Sequence, residues 1–518
     1  MNVIATRPVT AGRRGVWERL AALRGWRADL AGFGLGALSA AALPPVHLIP
    51  VLLLAVPGLL ALVGAAPSPA TAARRGFWFG LGHHIVGLYW ITEAILIESA
   101  RYWWLVPLAV PALSALLALF IAVPCAGARL APAGWRRVCA FAGLWVLSDL
   151  ARQYIGTGFP WNPWGSVWAI PGLPGDIMIQ PASWVGTPGL TLFTVLLAGL
   201  PALGRRYALG SLAAVLVWAG LGWARLQQPE PGQAGLDAVL VQGNVAQGQK
   251  WDRASAIAAF QRLLELTRQG VAEAGSRPSV VIWPETASVY LLQYDPAARE
   301  AIMQAAQPAV AALVGGLTFR ESPFTGAANN PPRNSLIAIQ RSGSVIAGIY
   351  DKWHLVPFGE YAPSWVPLAI QVVPGQFDFG RGPTTLHVPG VPAFGPLICY
   401  ETIFPAQAVD EADRPDWMVN ITNDAWFGNS TGPRQHLAEA RLRAVEEGLP
   451  LFRAANTGIT AAFDSRGHEL GRIGLNRPGW LTLPVPGKRA PTSFSRWGLV
   501  VPGLLSLLLV GVSVHRRR

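Results

Sequence analysis

Eight stretches of this chain, residues 30–43, 49–63, 77–97, 103–123, 138–150, 183–203, 207–226 and 497–514, are apolar almost throughout. About 20 apolar residues carry a helix across a bilayer, and shorter runs do so where the bilayer thins. The runs therefore predict eight transmembrane helices, seven before residue 227 and one near the C-terminus. The run 138–150 is the weakest of them, and a buried or re-entrant segment stays open there. Composition agrees, because 52% hydrophobic and only 14% charged residues is too apolar for a soluble enzyme of 518 residues.

The net charge of +12 invites a nucleic-acid reading, but its distribution argues against one. Surplus arginine lies in short clusters between the apolar runs, where it reads as a topology signal. With a cytoplasmic N-terminus, the inside segments hold Arg7, Arg13, Arg14, Arg19, Arg24, Arg27, Arg74, Arg75, Arg129, Arg136, Arg137, Arg205, Arg206 and Arg516 to Arg518. The short outside loops hold only Arg101 and Arg152. This asymmetry puts everything between the seventh and eighth spans outside the cytoplasm. A cleaved signal peptide at the first run fits poorly with its long arginine-rich leader and its Gly-rich, Pro-ended sequence.

Residues 227–496 read differently. Short β-rich runs recur, among them "LDAVLVQGN", "SVVIWPE", "AALVGGLTF", "NSLIAIQ", "SVIAGIYDK", "AFGPLICYE", "DWMVNITND", "PLFRAANTG" and "ITAAFDS". Helical stretches fall between several of them, such as 254–270 and 436–447. Buried strands alternating with helices predict an α/β domain. Pro/Gly-rich stretches at 229–235 and 484–491 read as linkers to the membrane part. The division is 1–226 membrane, 227–493 globular, and 494–518 a last span with a cytoplasmic tail.

Three strands of that domain end in a reactive side chain: Glu285 after "VVIWP", Lys352 after "IAGIYD" and Cys399 after "AFGPLI". Each alone has a bland reading as turn residue, surface cation or core thiol. Together they make one chemistry, with a thiolate nucleophile, a carboxylate base and a cation for the oxyanion. Lysine is scarce here, since only Lys250, Lys352 and Lys488 occur among 41 basic residues. Exported cysteines tend to pair, yet Cys399 has no partner in its domain, because Cys125 and Cys139 fall in the membrane part. An unpaired exported thiol is a candidate nucleophile.

These residues, in this order, resemble the Glu-Lys-Cys triad of the nitrilase superfamily. "WPET" at 283–286, "YDKWHLVPFGEY" at 350–361, "CYE" at 399–401, "NDAWFG" at 423–428 and "QGNVAQGQKWD" at 242–252 are similar to segments of its membrane-bound branch, the apolipoprotein N-acyltransferases. The resemblance implies an αββα nitrilase-like domain on the periplasmic side of a bacterial inner membrane, borne on eight spans. It implies acyl transfer from a phosphatidylethanolamine-like phospholipid to the α-amine of a diacylglyceryl-cysteine apolipoprotein, by a ping-pong route through a Cys399 thioester. Glu285 would be the base and Lys352 the oxyanion cation. Glu360 and Glu401 would hold Lys352 and the loops, and Tyr400 the nucleophile's backbone. Trp251 and Trp426 would line a lipid entrance, and Asn334 would support the pocket. No cofactor, metal or nucleic acid is expected, and a monomer is. Trp353 departs from the family, whose members often carry a polar or basic residue there.

Trp103, Trp104, Trp161, Trp164, Trp168 and Trp184 fall near outer span ends and read as interface anchors. "GFPWNPWG" at 158–165 resembles a family signature and is a candidate floor for an acyl-chain cavity. No histidine has ligand-like spacing, and His436, opening a helix, reads as exposed or capping. Two other functions stay in view. A membrane-tethered amidohydrolase would use the same triad with water as acceptor. A transporter or lipid-binding scaffold would have to have kept a decayed domain, although every triad member stands; Glu93 and Glu98 near one span end mark no ion pathway.

Overall fold

The computed structural model describes residues 15–97, 102–229, 231–246, 253–325, 330–364 and 376–515. Every predicted apolar run carries helix. Trp103–Leu130, Ala182–Leu203 and Arg205–Leu226 are long and apolar enough to cross a membrane, and Ile49–Gly64 and Val500–Val514 are shorter apolar helices. The run 138–150 lies inside one helix, Trp135–Arg152. The run 77–97 is shared between Pro69–Gly87 and Ile91–Ile97.

The outermost helices are built inside out. In Arg205–Leu226, Ser211, Gly222 and Arg225 are buried while Leu212, Leu216, Val217 and Leu221 face outward. In Val500–Val514, Ser506 and Ser513 are buried while Leu504, Leu507 and Leu508 are exposed. Apolar surface outside with small or polar residues inside suits lipid as the solvent. Close helix crossings use glycine. A Cβ on Gly36 would strike the Phe79 carbonyl, and one on Gly82 the Phe33 carbonyl.

The globular part has two sheets. The first has strand order β11-β1-β2-β3-β4-β5, from β1 (Gln233–Gln242), β2 (Ser279–Ile282), β3 (Ala311–Thr318), β4 (Arg333–Gln340), β5 (Ile346–Asp351) and β11 (Gly479–Pro486). The second has order β10-β9-β8-β7-β6, from β6 (Phe394–Ile398), β7 (Trp417–Thr422), β8 (Leu451–Ala455), β9 (Thr460–Phe463) and β10 (Glu469–Ile473). β1, β2 and β3 run parallel, as do β6, β7 and β8.

Period-two alternation decides the layers. In β1, Ala238 and Leu240 join Val280, Leu313, Phe394, Val419 and Phe452 in the core between the sheets. Val239 and Val241 point the other way and pack with Phe260, Leu263 and Ile302 of helices Arg253–Ala274 and Pro296–Ala305. Outside the second sheet, Met418, Leu451 and Ala461 pack with Leu437, Ala440 and Ala444 of helix Gly432–Glu447. The result is the expected αββα sandwich.

Three expectations need correction. β10 and β11 are strands that the sequence reading left out. β11 takes in Pro484 to Pro486, so the stretch 484–491 is only partly a linker; as a strand at the sheet's end, it tolerates proline. Helix Gly432–Glu447 begins four residues before the predicted start at 436, so His436 lies inside it.

Candidate active site

Because β4 is antiparallel to both β3 and β5, and β2 parallel to β3, the end of β2, the start of β4 and the end of β5 share one edge. There Lys352 meets two carboxylates. Its ammonium lies 3.1 Å from Glu285 Oε1 and 2.9 Å from Glu360 Oε1. Asn334, at the start of β4, donates Nδ2 to the same two oxygens at 2.6 and 2.9 Å. Glu285 Oε2 accepts from the backbone N–H of Asn423 at 2.8 Å, and Glu360 Oε2 from that of Val356 at 2.8 Å. Lys352 is only 1% exposed. Burial alone would lower its pKa, but Glu285 and Glu360 outweigh burial and hold it well above the ordinary lysine value. It is a fixed cation.

Cys399 follows β6 directly and turns the chain into the short helical turn Cys399–Ile403. Its φ of +51° is a left-handed conformation that costs a non-glycine residue ~1–3 kcal/mol and persists only where neighbours enforce it. Thr286 and Phe358 also have positive φ, at 47° and 63°, so strain gathers beside Glu285, Glu360 and Cys399 alike. Burial pushes the thiol above its ordinary pKa, Glu285 adds to this, and Lys352 opposes it. The resting sulfur is therefore a protonated thiol.

Glu401 is fully buried and joins the ends of β5 and β6. Its Oε2 accepts from Ile398 N at 2.6 Å and from the Tyr350 hydroxyl at 3.0 Å, and its Oε1 from Trp353 N at 2.8 Å and His354 N at 3.4 Å. Burial raises its pKa to about 7, with the two backbone N–H groups of Ile398 and Trp353 pulling it back. Tyr400 turns away from the sandwich and donates its hydroxyl to the Gly158 carbonyl of the helical region at 2.8 Å.

His436 is fully buried, against the expectation of an exposed or capping residue. Its Nε2 lies 2.9 Å from the Cys399 carbonyl and its Nδ1 3.0 Å from Asp424 Oδ1. Arg453 holds Asp424 Oδ2 at 2.8 Å. Burial works against the Asp424 charge, but Arg453 and His436 overcome it and bring its pKa down to about 2. Sequence reasoning missed Asn423, Asp424, His436 and Arg453. "NDAWFG" contained the first two, but nothing local marked them as partners of a histidine and an arginine elsewhere in the chain.

Other expected site residues are more scattered. Trp251 lies outside the described residues, as does Glu98. Trp426 sits half-buried in the turn Asp424–Phe427, two residues from Asp424. Trp353 packs against the core between the sheets, and its ring lies 3.7 Å from that of His354, so its side chain faces protein. Trp103 and Trp104 are exposed, as anchors would be, but Trp161 and Trp164 are 1% exposed and belong to the interior. A cavity of about 360 Å³ opens beside Glu285, walled by Val245, Ile257, Leu263, Tyr290 and Leu317.

An αββα sandwich with glutamate, lysine and cysteine at converging strand ends, attached to apolar helices, defines a membrane-attached protein of the carbon–nitrogen hydrolase class. Residues 239–484 match the carbon-nitrogen hydrolase family, and residues 35–200 match the apolipoprotein N-acyltransferase N-terminal domain. An apolipoprotein N-acyltransferase of Allorhizobium ampelinum is 38% identical over 492 residues, covering 89% of this chain and 91% of the relative. Relatives of the same name from Brucella melitensis and Rhodopseudomonas palustris are 37% and 36% identical, over 96% and 98% of this chain and 97% and 99% of their own. The chain belongs to the apolipoprotein N-acyltransferase family.

Proposed function

We propose that this chain N-acylates lipoproteins, moving a fatty acyl group from a phospholipid of phosphatidylethanolamine type to the α-amine of a diacylglyceryl-cysteine N-terminus through a Cys399 thioester. The observation that carries the mechanism is Lys352, buried and clasped by Glu285 and Glu360, next to the strained Cys399. Glu285 takes the Sγ proton as sulfur attacks the ester carbonyl. The Lys352 ammonium stabilises the tetrahedral oxyanion. Collapse breaks the acyl–oxygen bond, and Glu285 returns the proton to the departing lysophospholipid. The acceptor amine then attacks the thioester, gives its proton to Glu285, and the thiol leaves reprotonated. Glu360, Glu401 and Asn334 keep Lys352 and the strand ends in place, and Tyr400 anchors the nucleophile's turn.

Several features support the finer parts of this reading. The apolar cavity beside Glu285 suits an acyl chain. The arginine asymmetry supports eight spans in an inner membrane with residues 227–493 on the periplasmic side, between a membrane part at 1–226 and a last span at 494–518. On this reading Trp426 and Trp251 line the lipid entrance, and a monomer suffices for a site built from one chain. Full-length similarity to acyltransferases speaks against the tethered amidohydrolase, and a complete charged cluster speaks against a decayed scaffold. The test is intact-protein mass spectrometry of detergent-purified protein incubated with phospholipid. An acyl mass that hydroxylamine removes, absent from Cys399→Ala, is expected. No adduct on folded wild-type protein refutes the acyl-enzyme.

A further inference from the structure

We infer that the loop "GFPWNPWG" at 158–165 positions the Cys399 nucleophile through Gln435, so that the helical region forms part of the catalytic machinery; this deepens the acyl-enzyme reading and rests on it. Three donors of the helical region converge on one buried oxygen, Gln435 Oε1. Trp161 Nε1 lies 2.9 Å from it, Trp90 Nε1 3.0 Å and Asn162 Nδ2 3.2 Å. The Gln435 amide nitrogen donates back to the Gly87 carbonyl at 3.3 Å. Donors from three directions fix the glutamine, and with it the first turns of helix Gly432–Glu447, more tightly than one bond can.

The next residue is His436, whose Nε2 lies 2.9 Å from the Cys399 carbonyl. The Trp161 ring lies against the same imidazole, with centroids 5.5 Å apart. Further along the same turn, Tyr400 donates to Gly158, and Gln153 Nε2 donates to the Pro405 carbonyl at 3.0 Å. One short segment of the helical region therefore bears on the turn that begins at the cysteine, directly at Tyr400 and Pro405 and through Gln435 and His436 at the Cys399 carbonyl. The left-handed conformation of Cys399 needs such enforcement, because a non-glycine residue relaxes from it when released. Gln435 touches no reacting atom and is a positioning residue. The loop thus has a role other than a cavity floor.

Gln435→Met keeps the shape and removes the acceptor; Gln435→Glu keeps an acceptor for all three donors. Single-turnover acylation is followed by intact mass over a range of phospholipid concentrations. In Gln435→Met the saturating rate should fall about tenfold at unchanged half-saturating phospholipid. Gln435→Glu should recover most of that rate, and Trp161→Phe, which loses one donor of three, should fall between. Gln435→Met strands three buried donors and should lower the thermal midpoint in detergent, so rates are compared at a temperature where every variant is folded. Wild-type rates in Gln435→Met overturn the inference. So does a loss of rate that merely tracks loss of fold and that Gln435→Glu shares. Alkylation of Cys399 by iodoacetamide separates the two readings. If wild type forms no acyl adduct, the acyl-enzyme fails, yet faster alkylation in Gln435→Met still upholds the clamp and equal rates overturn it.

Discussion

Replacing Glu401 by glutamine changes one atom and two opposing energies. Glu401 receives four donors and donates to none. A glutamine must aim its NH₂ either at Trp353 N and His354 N or at Ile398 N and Tyr350. In the better orientation the Tyr350 hydroxyl turns to accept, and the Ile398 N–H is left facing a donor. One buried N–H without an acceptor costs about 1–3 kcal/mol, and the other bonds lose their charge assistance. Against this stands the cost of the buried charge. A pKa raised from 4.5 to about 7 is worth about 3 kcal/mol. The sign follows from proton binding. Between those two values the native state holds a proton that the unfolded state has released, so wild-type stability falls as pH rises through that window. The glutamine variant lacks this loss.

The two energies nearly cancel at pH 8, where wild type bears the full charge cost. At pH 5 wild type is relieved of most of it, and the variant should be less stable by about 2–3 kcal/mol. Chemical or thermal denaturation in detergent at both pH values measures the difference. Acylation should fall at either pH, because Trp353 N follows Lys352 and Ile398 N precedes Cys399 in the chain. A tenfold loss corresponds to about 1.4 kcal/mol, within reach of one misdirected N–H. A stability difference independent of pH, together with acylation at the wild-type rate, would refute the reasoning.

Three further outcomes follow from the same geometry. Because burial and Glu285 raise the Cys399 thiol, alkylation by iodoacetamide should climb with pH through 9 without levelling; a plateau below pH 8 would mean a thiolate at rest. Arg453→Met strands the buried Asp424 carboxylate, and breaking such a pair costs about 3–5 kcal/mol. Asp424 titrates at about 2 in the native state, below its ordinary 3.8, so its contribution is present above 3.8 and is lost as pH falls through 2; the variant's deficit in denaturation should therefore shrink in acid. Gly36→Leu forces the helices Gly25–Ser39 and Pro69–Gly87 apart at the Phe79 carbonyl and should lower the thermal midpoint in detergent, whereas Gly34→Leu, with open space at its Cβ, should not.

Much of the candidate site was legible because its signals are local. An apolar strand running into Glu285, Lys352 or Cys399 places a reactive group at a strand end, and the rarity of lysine singled out Lys352. Nine strands showed as short β-rich apolar runs. The two that did not, β10 and β11, are only half-buried, so polar and small residues interrupt any apolar run, and the prolines of β11 read as linker. Helix Gly432–Glu447 misled for a different reason. "RQHLAEARLRAVEE" carries charge on every side, and a helix polar all round normally faces water. Here every residue of it except Arg434 is buried.

The partners of that helix explain why. Arg441 bonds Asp176 and the Ile170 carbonyl; Glu446 accepts from the backbone and hydroxyl of Thr187 at 2.6 and 2.7 Å; Gln435 meets Trp90, Trp161 and Asn162. All of these lie some 250 residues or more away in the chain, so no window of sequence contains both halves. In a free-standing sandwich the outer face of this helix would be solvated. In this chain polar groups of the helical region take the place of water, and charged residues become interior without becoming apolar. Fixed partners differ from water in one respect that bears on catalysis: they transmit position. The helix whose inner face packs on β7 and β8 also carries His436 to the Cys399 carbonyl, so the seam that joins the two parts of the molecule is continuous with the backbone of the proposed nucleophile.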